Sequence, residues 1–346
     1  MTKKFYHVLV VMALCLTTIF FSPLQIHAKV GDTFSIGQLK YTVLTENGSI
    51  GTVSVEAESE ETYGNIVIPE SVEKGKYTYS VVILSDSAFL RCFSLNSVTI
   101  PNGVTSIGDC AFQECGSLTS VIIPNSVTFI GKWAFDNCMS LTRVTIPSGV
   151  ISINDYTFYN CSSLTNIAIP NSVTSIGKFA FSGCNGLEQI NIPDSVISIG
   201  DYAFYYCSNL RNFSIPAAVI SIGNNAFSWC NSLNSITVSA NNPCYISMNG
   251  VLLNKDQTEL IQYPIGKKEM NYVIPNSVTS IGNNAFAGCG SLENITIPNG
   301  LTSIGEGAFH GCFNLPNIII PDNVTSIENM HSWGVVSWSV LQFQIV

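Results

Sequence analysis

The side chains best able to do chemistry in this chain are its cysteines, histidines and carboxylates. Nine of the 12 cysteines share one register. Cys92, Cys115, Cys138, Cys161, Cys184, Cys207 and Cys230 are each 23 residues apart, and after a break Cys289 and Cys312 are also 23 apart. Such a thiol is a nucleophile, a metal ligand, half a disulfide or a small buried hydrophobe. Zinc sites cluster their cysteines two to four residues apart, which this spacing does not. An odd number of rungs cannot be fully paired as disulfides. Each of the nine has a Phe three before it (Phe89 through Phe309) and a Leu three after it (Leu95 through Leu315). Apolar neighbours at fixed offsets mark a buried, reduced thiol. A reduced ladder is unusual in an exported chain and fits an anaerobic habitat, or burial alone. Cys110 and Cys244 lie off the register and are the more reactive candidates.

Catalytic constellations are scarce. Of the 4 histidines, His7 and His27 fall in the N-terminal leader, leaving His310 and His331. No G-x-S-x-G, H-E-x-x-H or phosphate-loop pattern occurs. A Cys312–His310 pair would have to use a ladder cysteine. The acidic residues Asp109, Asp155, Asp201 and Glu306 sit six before their cysteines, where the repeat alone explains them as a solvated row. "NKDQT" at 254–258 lacks the regular oxygen spacing of a calcium loop. No catalytic residue, metal or cofactor is expected. Glycosidase carboxylates carry no short signature, so a glycan-active enzyme built on the repeat stays as an alternative.

The elements that hold these residues follow from the unit I-G-x-x-A-F-x-x-C-x-x-L-x-x-V-x-I-P-x-x-V-x-x. L-x-x-V-x-I reads as a short strand with Val and Ile on one face. Proline ends it, having no N–H for a ladder. G-x-x-A-F-x-x-C spaces apolar residues by three and four, which predicts a turn of helix or 3-10 helix across the back. The glycine seven before most of these cysteines, replaced by Asn154 in one central unit, suits a turn with positive φ. One unit cannot bury its apolar edge alone, but stacked units can. The expected fold class is an α/β solenoid with short parallel strands on one face and short helical or 3-10 turns on the other.

This unit resembles the 23-residue class of leucine-rich repeats found in BspA-like bacterial surface proteins, over roughly residues 60–327. The resemblance implies an extracellular or cell-surface protein, often an adhesin for host matrix proteins, and no catalytic residues.

The departures from the unit outline the domains. Residues 1–28 read as a signal peptide: Lys3 and Lys4, an apolar run from Val8 to Phe21, and a small-residue end at Ala28. Its removal leaves 12 basic against 23 acidic residues, a net charge of −11. That disfavours nucleic acid and anionic lipid as partners. No later apolar stretch is long enough to span a bilayer. Residues 29–65 read as an N-terminal β cap, and 66–327 as the solenoid, with "EKGKYTYSV" a small loop or hairpin extension. An irregular, hairpin-like coil interrupts it at about 239–271, spending 13 residues beyond one extra coil. Residues 328–346 form a tail or cap.

Two surfaces are candidates for binding. Five before the cysteine, four consecutive units carry Trp133, Tyr156, Phe179 and Tyr202, with Tyr206 and Trp229 nearby. They form an aromatic stripe of contact anchors or a shield over the back turns. Five and seven after the cysteine, the strand residues point away from the core and are nearly all short and uncharged. Arg143, Gln189 and Asn191 are the candidates there. The leading expectation is a secreted or surface-displayed, adhesin-like protein that binds an extracellular protein or glycan. A purely structural or decoy repeat is the remaining alternative.

Overall fold

The computed structural model describes residues 29–328 and 342–345. The leader read as a signal peptide, and His331, lie outside the described residues.

A regular coil places two parallel strand segments, and both repeat in register from coil to coil. Arg143, Val144 and Thr145 face Asn166, Ile167 and Ala168. A second, two-residue strand, Ser-Ile, follows the proline turn, and Ser152, Ser175, Ser198 and Ser221 pair in succession. The prolines do more than stop the first strand. Their carbonyls accept the turn bonds that start the next side, as from Val127 N–H to Pro124 O and Val150 N–H to Pro147 O, both 3.1 Å. The fold is a β-solenoid of stacked parallel strands, with leucine, cysteine, phenylalanine and isoleucine rungs filling its interior. One core runs from Leu39 to Leu252. A second runs from Val251 to Ile320.

The back face is not helical, which corrects the sequence expectation. Among the described residues no helix forms. Two positions per coil sit in the left-handed region: the residue five before the cysteine, such as Tyr156 at φ 58°, and the residue one before it, such as Asn160 at φ 57°. A helix or 3-10 run needs consecutive right-handed residues. Here a left-handed residue at each end of a four-residue step breaks such a run, and every second N–H turns toward the next coil. Cys110, Phe112 and Glu114 donate to Lys132, Ala134 and Asp136, at 2.8, 2.7 and 2.7 Å. The residues between them close local turns, Gln113 to Cys110 and Cys115 to Phe112. Spacing by three and four is thus met by turns that also act as a ladder.

The glycines seven before the cysteine serve a different purpose from the one expected. None is in the positive-φ set, nor is Asn154. A Cβ at Gly108 or Gly131 would come within 2.5 Å of the backbone N of Asp86 or Asp109, so these glycines permit close approach of neighbouring coils.

At the N-terminus Leu39–Asn47 and Ile50–Ala57 form an antiparallel pair. Ile50–Ala57 then runs parallel to Tyr77–Leu84, whose end pairs with Ser106–Ile107 and hands the cap over to the solenoid. Ser71–Lys74 and Tyr77–Leu84 make the hairpin extension. At the break, Tyr245–Met248, Val251–Asn254 and Glu259–Gln262 form an antiparallel meander before parallel pairing resumes with Ser280–Ile281. Gln342–Ile345 adds a strand parallel to Asn317–Ile320.

Candidate functional site

The thiol ladder is buried and committed. Cys184 is fully buried, and its Sγ donates to the carbonyl of Phe158 at 3.1 Å. The same bond recurs from Cys138 to Phe112, Cys161 to Phe135, Cys207 to Phe181 and Cys230 to Phe204, each 3.1 Å. The rung is therefore a hydrogen-bond donor as well as a packing group. Burial pushes these thiols up, Cys92 to about 11 and Cys230 to about 12. Cys110 and Cys244 are half-buried free thiols.

His310 stacks edge-on against Trp229 at 6.0 Å, and Cys312 gives its hydrogen bond to Phe286 O. The pair expected to be unavailable is thus otherwise engaged. Three of the four acidic-row residues cap backbone, whereas Glu306 gives its own N–H to Asn283 Oδ1 at 2.8 Å. Oδ1 of Asp109, Asp155 and Asp201 accepts from the N–H of Lys132, Lys178 and Asn224, at 2.8, 2.9 and 2.9 Å. The second oxygens of Asp155 and Asp201 meet Lys132 and Lys178, each at 3.0 Å. Partial burial opposes ionisation of Asp155, but hydrogen bonds from the Lys132 side chain and the Lys178 backbone outweigh it and hold the carboxyl low. Among the described residues no group of three or more His, Cys, Asp or Glu is placed to hold a metal.

On the strand face, Arg143, Gln189 and Asn191 are exposed. The parallel ladder that runs through Arg143–Thr145 and Asn166–Ala168 stops there, and Asn212–Ile215 starts another. Between them Gln189–Ile192 forms no strand, and Glu188 O accepting Arg211 N–H at 3.1 Å is the bond that ties this run across to the next coil. The opening is a trough of about 730 Å³ lined by Asn166, Gln189, Asn191, Asn212, Ser214 and Thr237. Its rim carries a solvent-facing ion pair, Arg211 to Glu188 at 3.2 Å, which adds little energy and no net charge. Gln189 and Asn191 come together here; Arg143 lies outside the lining.

On the back, Trp133, Tyr156, Phe179 and Tyr202 are half-buried and stacked. Successive centroids are 5.3, 4.8 and 4.6 Å apart, with interplanar angles of 18°, 12° and 4°. Their faces are used on one another, so edges and hydroxyls meet solvent. Tyr206 is exposed and Trp229 half-buried, both with left-handed backbone. The sequence reading did not find the trough, because the interruption of pairing at Gln189 leaves no mark in the Leu and Ile rungs. Coil registers on both sides are unchanged.

Comparison with known proteins now places the repeat. A family model described as the BspA type leucine rich repeat region matches residues 82–211, 151–251 and 266–332, in 6 copies. The chain belongs to this family. Among solved structures, a leucine rich cell surface protein from Faecalibacterium prausnitzii is 30% identical, with 88% of this chain and 86% of that one covered and a TM-score of 0.74. The pneumococcal vaccine antigen PcpA is 25% identical over 86% of this chain and 78% of its own, with a TM-score of 0.57. A leucine-rich repeat protein from Bacteroides ovatus, 23% identical with 90% of each chain covered and a TM-score of 0.55, shares the fold. A search of curated proteins returned no match. The family is one of leucine-rich repeats, and no enzyme family is indicated. Among the described residues no helix is long and apolar enough to cross a membrane.

Proposed function

We propose that this protein is exported, displayed at the cell surface or released, and binds an extracellular protein or glycan through the strand face of its solenoid, without catalysis. The observation that carries the reading is the amide-lined trough, of no net charge, where the ladder opens. Side-chain amides on three successive coils surround it, and each amide offers a donor and an acceptor. Such a surface fits adhesin-like attachment built on area and avidity. The surface and antigen descriptions of the Faecalibacterium and pneumococcal proteins support the location. The test is an array of matrix proteins and glycans probed with the wild type and with a Gln189→Ala/Asn191→Ala variant. Loss of a specific signal in a still-folded variant is expected. A signal that survives the double variant unchanged removes the trough from the reading.

The half-exposed aromatic stack favours a second reading, in which Trp133, Tyr156, Phe179, Tyr202, Tyr206 and Trp229 present edges and hydroxyls to a protein partner. Replacing Trp133, Tyr156 and Tyr202 together separates the two. With either face, the few charges present predict little change of affinity between low and moderate salt.

A further inference from the structure

The lapse in pairing at Gln189 has a counterpart nearer the C-terminus. Asn271–Val273 pairs with Asn294–Thr296, and Asn317–Ile320 pairs with Gln342–Ile345, but Asn294–Thr296 and Asn317–Ile320 do not pair with each other. Side-chain amides tie these two coils on either side of the lapse. Asn314 Nδ2 donates to Gly290 O at 2.6 Å and Asn323 Nδ2 to Asn299 O at 2.8 Å. There the strand face opens a second trough of about 810 Å³, lined among others by Asn294, Thr296, Asn299, Ile319, Asp322 and Asn323. Asn191, Ser214, Thr237, Val273 and Thr296 hold the same place in successive coils, the register resuming after the break. Four coil steps of about 4.8 Å put the two troughs about 20 Å apart. The interrupted coil opens a cleft of another kind. Leu260 pairs with Ile281, 21 residues on, whereas Tyr263 stacks on Phe286, 23 residues on, at 5.2 Å, so this coil is two residues short. Its cleft of about 320 Å³ lies among second-strand and back residues such as Ile222 and Asn225, off the strand face.

The two strand-face troughs share their chemistry. Asn166, Gln189, Asn191 and Asn212 are exposed, and their side-chain amides have no hydrogen-bond partner among the described residues. In the second trough the Thr296 hydroxyl and the Asn299 amide are likewise exposed and free. The isoleucines and phenylalanine beneath the first trough, Ile167, Ile190 and Phe213, are buried core rungs, and Ile319 in the second is the large apolar side chain that is exposed. Charge is sparse: the Glu188–Arg211 pair at the first trough and Asp322 at the second. An anionic ligand would find one guanidinium, already paired, and the Asp322 carboxylate against it. A protein partner anchors through apolar or aromatic side chains, and the first trough has no open pocket for one. A sugar hydroxyl is donor and acceptor at once, as each side-chain amide is. Two like troughs on one face suit a ligand that repeats along its length, since the second contact then adds avidity.

We propose that the strand face binds a neutral linear polysaccharide that occupies both troughs at once. This ligand class rests on the strand-face reading above. The test titrates the purified chain by calorimetry with mixed-linkage β-glucan, glucomannan, xylan and pullulan and with a trisaccharide cut from each, alongside hyaluronan and a panel of matrix proteins. At equal concentration of sugar units, at least one neutral polymer should bind at least about ten-fold more tightly than its trisaccharide, which is too short to reach both troughs. Gln189→Ala/Asn191→Ala and Thr296→Ala/Asn299→Ala should each bring that polymer down to the level of its trisaccharide. All four side chains are exposed, so both variants should keep the wild-type melting temperature. Equal binding of polymer and trisaccharide, a polymer indifferent to Thr296→Ala/Asn299→Ala, tighter binding of hyaluronan, or no binding by any of the four polymers would overturn the proposal. A matrix protein captured through Gln189 and Asn191 in place of a polymer would overturn it too, yet leave the strand-face reading standing. Binding indifferent to both double variants would end that reading as well.

Discussion

Replacing Cys184 separates two accounts of the thiol ladder. The side chain is fully buried, and Sγ lies 3.1 Å from Phe158 O. Cys184→Ala removes one buried heavy atom, at about 1 kcal/mol for burial and residual cavity together. It also removes a hydrogen bond of about 1 kcal/mol. The Phe158 carbonyl is not orphaned, because Cys161 N–H still reaches it at 3.3 Å. The total is then about 2 kcal/mol rather than the larger cost of a stranded acceptor. Cys184→Ser keeps a donor on the same rung. Its shorter C–O bond stretches the contact, so the rescue is partial and the cost should be about 1 kcal/mol. If the rung were only a hydrophobe, serine would be the worse substitution, since it would bury a hydroxyl with nothing to meet. Urea denaturation and thermal melts of the two variants, each against wild type, give the order. Serine less stable than alanine would refute the donor role.

Alkaline pH should destabilise the fold steeply. A ladder thiol such as Cys230, raised to about 12, holds its proton more tightly when folded than at its unfolded value. Its contribution is full below an unfolded pKa of about 8.5 and is lost as pH rises toward the native value, at up to about 1.4 kcal/mol per pH unit per thiol. Urea midpoints at pH 7, 9 and 10.5 that did not fall would contradict the buried ladder. Phe181→Ala, on a rung stacked 5.5 and 5.4 Å from Phe158 and Phe204, should cost about 3–5 kcal/mol, whereas exposed Thr145→Ala should be within about 0.5 kcal/mol of wild type; equal melting temperatures would void the register. The Tyr79 hydroxyl is buried without a partner among the described residues, so Tyr79→Phe should hold or raise the melting temperature, by about 1 kcal/mol or more of stability; a lower melting temperature would reveal a partner. Phe179 is left-handed at φ 54°, so Phe179→Gly should melt no lower than Phe179→Ala, reversing the usual order, because glycine relieves about 1 kcal/mol of backbone strain.

The interior of the fold was legible because it is written in side chains that repeat. Phe, Cys and Leu at fixed offsets must stack, and the resumption of register at Pro275 located the hairpin coil. The back face was misread for a physical reason. Apolar spacing of three and four does not distinguish a helical turn from turns punctuated by left-handed residues four apart, since both bring Ala, Phe and Cys to the same side. The one cue was contrary to propensity: bulky Trp133, Tyr156, Phe179 and Tyr202 occupy a backbone region that costs roughly 1–2 kcal/mol for such residues. Ring stacking, worth about 0.5–1.5 kcal/mol per pair, and the inter-coil hydrogen bonds offset that cost. Neither compensation can be seen in one unit, because both partners of every bond lie 22 or 23 residues apart. The glycine row was misassigned for the same reason. A clash with the preceding coil is a property of the stack, and no single turn contains it.

The trough and the short coil share a cause. In a regular stack each coil spends its backbone and rung groups on its two neighbours, so little is left over for a ligand. Free polar groups arise where a coil fails to match the one beside it. At Gln189–Ile192 the registers agree but the pairing lapses, and amides on three coils are left facing a trough. At Glu259–Tyr263 the coil is two residues short, and a cleft lined in part by Glu259 and Gln262 opens there. The cores record the same event, since the first ends at Leu252 and the second begins at Val251. The flat repeat supplies stiffness and reach, and its defects supply chemistry. Specificity within this family should therefore track where coils lapse or shorten rather than the consensus rungs.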